Sequence, residues 1–73
     1  MTTSIDEELD EAGRGIGLVY NGVDDTALSF VPMPGAAVAD VSETLGALID
    51  CLSQRGILDR LPPEINAVRI DGV

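Results

Sequence analysis

A chain of 73 residues has room for one small hydrophobic core, and this sequence holds almost nothing that could cross-link such a core. Cys51 is the only cysteine, so no disulfide can form within the chain, and without histidine a tetrahedral zinc site lacks ligands. Only Tyr20 and Phe30 are aromatic, which leaves the core to aliphatic side chains. Stability must come from efficient packing or from burial against other chains, and we therefore expect self-association or docking on a larger assembly.

The charge balance narrows the range of partners. Thirteen acidic residues against four basic ones, all arginine, give a formal net charge of −9. Phosphate contacts supply most nucleic-acid affinity, so we expect no direct binding to nucleic acid or to anionic membranes, and we expect protein partners with basic surfaces. No apolar run reaches the roughly 20 residues that span a bilayer, and the acidic N-terminus is unlike a secretion signal. The expected place of the protein is the cytoplasm in which it is synthesised.

The first segment predicts a short acidic helix. Ser4 and Glu7 have capping-box spacing, and Ile5, Leu9 and Ala12 form a thin apolar stripe. Gly13 is well placed to end such a helix. We expect the helix to be peripheral, and the alternative is a disordered acidic arm.

After this helix the apolar period changes to two, which predicts a β-hairpin. Asn21-Gly22 is a strong signal for a two-residue turn, but a turn there would place Leu18 opposite an aspartate. A five-residue loop over residues 21–25 places Leu18 opposite Leu28 and keeps one face apolar. The longer loop is therefore the predicted one.

The clearest element is an amphipathic helix that begins at about Val38 or Val41 and ends at Arg55. Asp40 and Glu43 again have capping-box spacing at its start. Gly56 suits the left-handed residue that follows a helix, and an aliphatic residue comes directly after it. The pair Pro62-Pro63 prevents further helix, and the β-prone tail can add a strand to the hairpin, here or in a neighbouring chain.

Together these patterns predict a small single α+β domain, in which a hairpin, extended to three strands by the tail, packs with one main amphipathic helix and a short acidic N-terminal helix. The predicted segments are an acidic arm or helix (1–13), the hairpin (15–31), the main helix (38–56) and a C-terminal extended segment (62–73).

The main helix has apolar residues at spacings of three and four. This heptad rhythm suits either a helix packed across its own hairpin or the contact surface of a homo-oligomer. The candidate oligomer or partner contacts are Val38, Val41, Leu45, Leu48 and Leu52.

No stretch carries a catalytic or cofactor signature. Nucleophilic catalysis needs a base beside serine or cysteine, and histidine, the usual base, is missing. The dense acidic groups lack the neighbours that shift the pKa of a catalytic carboxyl. We therefore predict a non-enzymatic protein with no cofactor and no metal, and we interpret its acids as a candidate surface for a basic partner. These acids are Asp6, Glu7, Glu8, Asp10, Glu11, Asp24 and Asp25.

Residues 34–58 resemble the C-terminal segment of some bacteriophage head-fibre and capsid-accessory proteins. The resemblance lies in the run Pro34-Gly35-Ala36-Ala37-Val38-Ala39-Asp40-Val41, the pair Leu48-Ile49 and the ending Arg55-Gly56-Ile57-Leu58. It implies a structural protein of a virion, namely a capsid decoration or head-fibre-like subunit that self-associates through its helix. The charge supports an alternative hypothesis, a small acidic regulator or inhibitor that binds a basic site on a protein and mimics nucleic-acid charge.

Overall fold

The computed structural model describes residues 4–72 and has an α+β fold, as predicted. Residues 4–72 form two helices, three strands that make one sheet, and one short 3-10 turn between the second helix and the last strand. The elements are α1 (Ile5–Arg14), β1 (Leu18–Asp24), β2 (Ala27–Pro32), α2 (Val41–Gln54), the 3-10 turn (Leu58–Arg60) and β3 (Ala67–Ile70).

Helix α1 starts as its cap predicts but is more deeply packed than expected. The Ser4 hydroxyl accepts a hydrogen bond from the Glu7 N–H, and Leu9 and Ala12 are buried. Two predictions were wrong: the helix is not peripheral, and it continues through Gly13 to Arg14. A Cβ on Gly13 would lie 3.0 Å from the Phe30 ring, so this glycine allows α1 to approach the sheet closely.

The hairpin is present, but its predicted register was wrong. Strand β1 is longer than expected and pairs Leu18 with Pro32, not with Leu28. A two-residue turn follows Asp24, and the Asn-Gly pair at residues 21–22 forms an irregularity between Tyr20 and Val23 instead of the turn. The partner of Leu18 moves by four residues, an even number, so the predicted apolar set remains on one face.

Strand β3 joins the same sheet, in the order β1-β2-β3, and runs parallel to β2. Parallel neighbours need a long crossover connection, and α2 lies in that connection. The C-terminal segment therefore completes the sheet of its own chain. Strand β2 is central, and all four residues from Ala27 to Phe30 are buried.

Helix α2 begins at Val41, the later of the two predicted starts, so Val38 lies outside the helix, whereas the capped start and the glycine at the other end are as predicted. Asp40 accepts a hydrogen bond from the Glu43 N–H at 3.0 Å, which caps the first turn. At the other end Gly56 has a φ of 72°, and the Ile57 N–H donates to the Leu52 carbonyl at 3.0 Å. This is the glycine-terminated helix end that the sequence predicts, and Ile57 is buried behind it.

Both helices contribute to one core. Helix α1 packs on β1, whereas α2 packs against α1 and β3, so the main helix does not cover the hairpin alone. The largest fully buried side chains in the cluster are Phe30, Leu9, Leu18, Leu28, Leu48, Leu52 and Ile57.

Candidate functional site

The predicted helix contacts divide into buried and accessible residues. Leu48 and Leu52 have no exposed surface. Their helical spacing suits an oligomer contact, but it suits equally a helix face that packs on the core of its own chain. The prediction that these two residues contact a second chain has to be corrected: they belong to the core of their own chain. Val38 and Leu45 are half-buried, and Val41 keeps 37% of its surface.

The predicted acidic surface is partly paired with arginines of the same chain. Four of its seven acids lie in ion pairs with four different arginines. These pairs are Asp10 with Arg14 (2.9 Å), Glu11 with Arg55 (3.8 Å), Glu8 with Arg60 (2.7 Å) and Asp24 with Arg69. The other three, Asp6, Glu7 and Asp25, are exposed and make no ion pair with any residue in 4–72.

The pKa values of two carboxyls, those of Glu8 and Asp71, are lowered by the hydrogen bonds that they accept. The hydrogen bond from Arg60 lowers the pKa of Glu8, and the same bond raises the pKa of Arg60. Asp71 accepts hydrogen bonds from the Ser29 hydroxyl and from Arg69. Both bonds lower the pKa of Asp71, and the bond from Ser29 has the larger effect. Arg69 thereby joins Asp24 and Asp71 on the sheet face opposite the core, above the buried Ser29.

Every arginine of the chain is thus engaged with an acid of the chain, and five of the thirteen acids are paired in this way. The remaining eight make no ion pair within the described part of the chain. They are Asp6, Glu7, Asp25, Asp40, Glu43, Asp50, Asp59 and Glu64. Sequence reasoning missed the last five, although the helical spacing of Asp40, Glu43 and Asp50 places them on one side of α2 and was a readable signal.

An open apolar groove lies between α2 and the C-terminal segment. Its volume is about 480 Å³, and it is lined by Ile49, Leu58, Leu61, Ile65, Asn66, Ala67 and Val68. Ile49 is 39% exposed, which is unusual for a large aliphatic side chain in this fold. Ile49 follows Leu48 in the helix, but the sequence alone did not bring it together with residues 58–68.

Three acids that make no ion pair within residues 4–72 are sequence neighbours of residues that line the groove. Asp50, Asp59 and Glu64 each directly follow or precede a lining residue in the chain, and all three are exposed. Arg60 lies in the same segment but is held by Glu8. The groove therefore has an apolar lining, and the segments that form it carry exposed acids without an arginine partner.

A second cavity, of about 280 Å³, lies beside the start of α2. Ile16, Ala39, Thr44 and Ala47 line it together with the carboxylates of Asp40 and Glu43. Asp40 already caps the helix, and no histidine, lysine or cysteine is among the lining residues.

Residues 4–72 contain neither a group of metal ligands nor a membrane-spanning helix. No three histidine, cysteine, aspartate or glutamate side chains there are grouped to hold a metal ion. No helix in that part of the chain is both long enough and apolar enough to cross a membrane. Cys51 is a half-buried free thiol packed against the core.

Comparison with known proteins adds no identification: the chain matches no protein-family model, no curated protein and no solved structure.

Proposed function

We propose that the protein is a non-enzymatic binding protein that recognises a basic segment or surface of a partner protein. The observation that carries the proposal is the distribution of charge: all four arginines are engaged by acids of the same chain. Positive charge is therefore compensated locally, and the negative charge that remains is carried by exposed acids.

Such a surface acts mainly through long-range electrostatics. Complementary charge accelerates encounter with a basic partner and rejects acidic ones, including nucleic acids. Because exposed charges are screened beyond about 10 Å at 0.1 M salt, the binding must be sensitive to ionic strength. This dependence separates the proposal from an association driven by apolar contacts.

The role of a self-associating virion subunit is the second proposal. It is favoured by the apolar surface that α2 leaves uncovered, where Val41 and Ile49 are 37% and 39% exposed. In this proposal Val41 and Ile49 form the contact between chains, because Leu48 and Leu52 are buried in the core of their own chain. The affinity between subunits of such an assembly stays constant or increases as the salt concentration rises, because screening reduces the repulsion between chains of charge −9.

Binding to a lysine-rich peptide, measured by fluorescence anisotropy at several salt concentrations, tests the first proposal. We expect measurable affinity that falls at least about tenfold between 0.05 and 0.5 M salt, and no binding to an acidic peptide of the same length. Absence of binding, or equal binding of both peptides, would contradict the proposal. Light scattering coupled to size exclusion tests the second: a stable trimer or larger ring favours the virion role, whereas a 7.6 kDa monomer removes it.

A further inference from the structure

Strand β3 has an unpaired edge. It pairs with β2 on one side, and within residues 4–72 no strand lies on its other side. Such an edge presents backbone N–H and C=O groups to which an extended peptide can add as a further strand. The opposite edge of the sheet, on β1, is interrupted between Tyr20 and Val23, and an irregular strand is a poor template for pairing.

The apolar groove lies beside this free edge. Ala67 and Val68 line the groove and form the start of β3, and Asn66, which also lines the groove, directly precedes the strand; Asn66 and Ala67 are exposed. A peptide added to β3 would place alternate side chains on the helix-covered face of the sheet, on the same side as Val68 and Ile49. The groove can accept aliphatic side chains in these positions.

Negatively charged residues next to the groove-lining residues favour a basic partner. Asp50, Asp59 and Glu64 are exposed neighbours of lining residues, and none is paired with a described arginine. A second copy of this chain would bring another charge of −9 to this site with its own arginines already engaged. A basic segment of another protein gains from the same charges.

We propose that β3 and the adjoining groove bind an extended segment of a partner protein in which aliphatic residues alternate with lysine or arginine. The segment adds as a fourth strand, its aliphatic side chains occupy the groove, and its basic side chains interact with Asp50, Asp59 and Glu64. This inference rests on the proposed function, because it names the partner segment that the acidic protein recognises.

Titration of the ¹⁵N-labelled protein with an alternating lysine–valine heptapeptide, followed by NMR, tests the location. We expect chemical-shift changes concentrated at residues 65–70 and at Ile49. The same peptide with N-methyl groups on alternate residues cannot form the strand hydrogen bonds, and we expect it to bind about tenfold more weakly or worse.

Two matched pairs of variants test the groove and its charge. Ile49→Gln should weaken binding by about fivefold because it removes aliphatic contact, whereas Val41→Gln, at an equally exposed position on the same helix, should not. Asp59→Asn combined with Glu64→Gln should weaken binding by about fivefold at low salt, whereas Asp6→Asn combined with Asp25→Asn changes net charge equally and should have a smaller effect. Circular dichroism of all four variants checks that each one is folded.

The outcomes separate the two proposals. If the heptapeptide binds with salt sensitivity but its shifts lie on α1 or the hairpin, or if N-methylation has no effect, the strand-addition site is refuted while the proposed function survives. If no basic peptide binds, both are refuted. Concentration-dependent shifts at β3 in the protein alone would identify a second copy as the occupant and would overturn the choice of a basic partner.

Discussion

The close approach of α1 to the sheet can be tested by adding one methyl group. In Gly13→Ala, the new Cβ would lie 3.0 Å from Phe30 Cδ2 and Cε2 and 3.1 Å from the Leu18 carbonyl oxygen. Phe30 is fully buried and the oxygen belongs to the backbone, so neither can move away freely. Overpacking of this kind costs about 1–3 kcal/mol, while replacing glycine by alanine within a helix returns about 1 kcal/mol. We expect a net loss of stability of about 1 kcal/mol.

Gly46 provides the matched control. It lies within α2 with no neighbouring atom within 4 Å of an added Cβ, so Gly46→Ala should show the helix gain alone, about 1 kcal/mol. The difference between the two variants isolates the steric cost at Gly13. With a urea slope of about 1 kcal/mol per molar for a small domain, the midpoints of unfolding should be about 2 M apart. If Gly13→Ala raises the midpoint as much as Gly46→Ala does, α1 does not pack against Phe30 as described.

Three further predictions concern stability. Asp25 has a φ of 60°, so Asp25→Gly should raise the melting temperature, with a gain of about 0.5–1 kcal/mol, while Asp25→Asn should change it little; equal effects would contradict backbone strain as the cause. Leu52→Ala should cost about 2–5 kcal/mol in chemical denaturation, and a loss below 1 kcal/mol would place Leu52 outside the core. The pKa of Asp71 is lowered in the folded state, so its contribution to stability is present above its unfolded pKa and is lost as pH falls through the folded value. Asp71→Asn should therefore reduce the loss of stability at acidic pH, measured by chemical denaturation at several pH values. An unchanged pH profile would show that the Ser29 and Arg69 contacts have no net effect.

Helix ends could be read directly from the sequence because they depend on neighbouring residues. Ser4 and Asp40 each accept a hydrogen bond from an N–H three residues later, and Gly56 takes the left-handed conformation that ends α2. The faces of the strands were also predictable, since Leu18 and Phe30 follow a period of two. These features need no knowledge of the rest of the fold.

The register of the hairpin could not be read in this way. The predicted register and the observed one both keep the apolar residues on one face, so the pattern did not distinguish pairings that differ by four residues. Gly22, with a φ of 92°, allows the irregularity, and the turn moves to Asp25 and Thr26. Similarly, Gly13 resembles a helix end until the Phe30 ring is placed beside it.

What the sequence determined by itself is the set of local elements, the apolar faces and the large excess of negative charge. Only the tertiary structure decided which acids remain available, because Glu8 meets Arg60, and Asp24 meets Arg69, across large distances in the chain. The groove is likewise a product of tertiary structure, since Ile49 comes next to residues 58–68 only when α2 packs against β3. Local hydrogen bonds and side-chain periodicity are encoded over a few residues, whereas charge pairing and surface concavity depend on segments that the fold brings together.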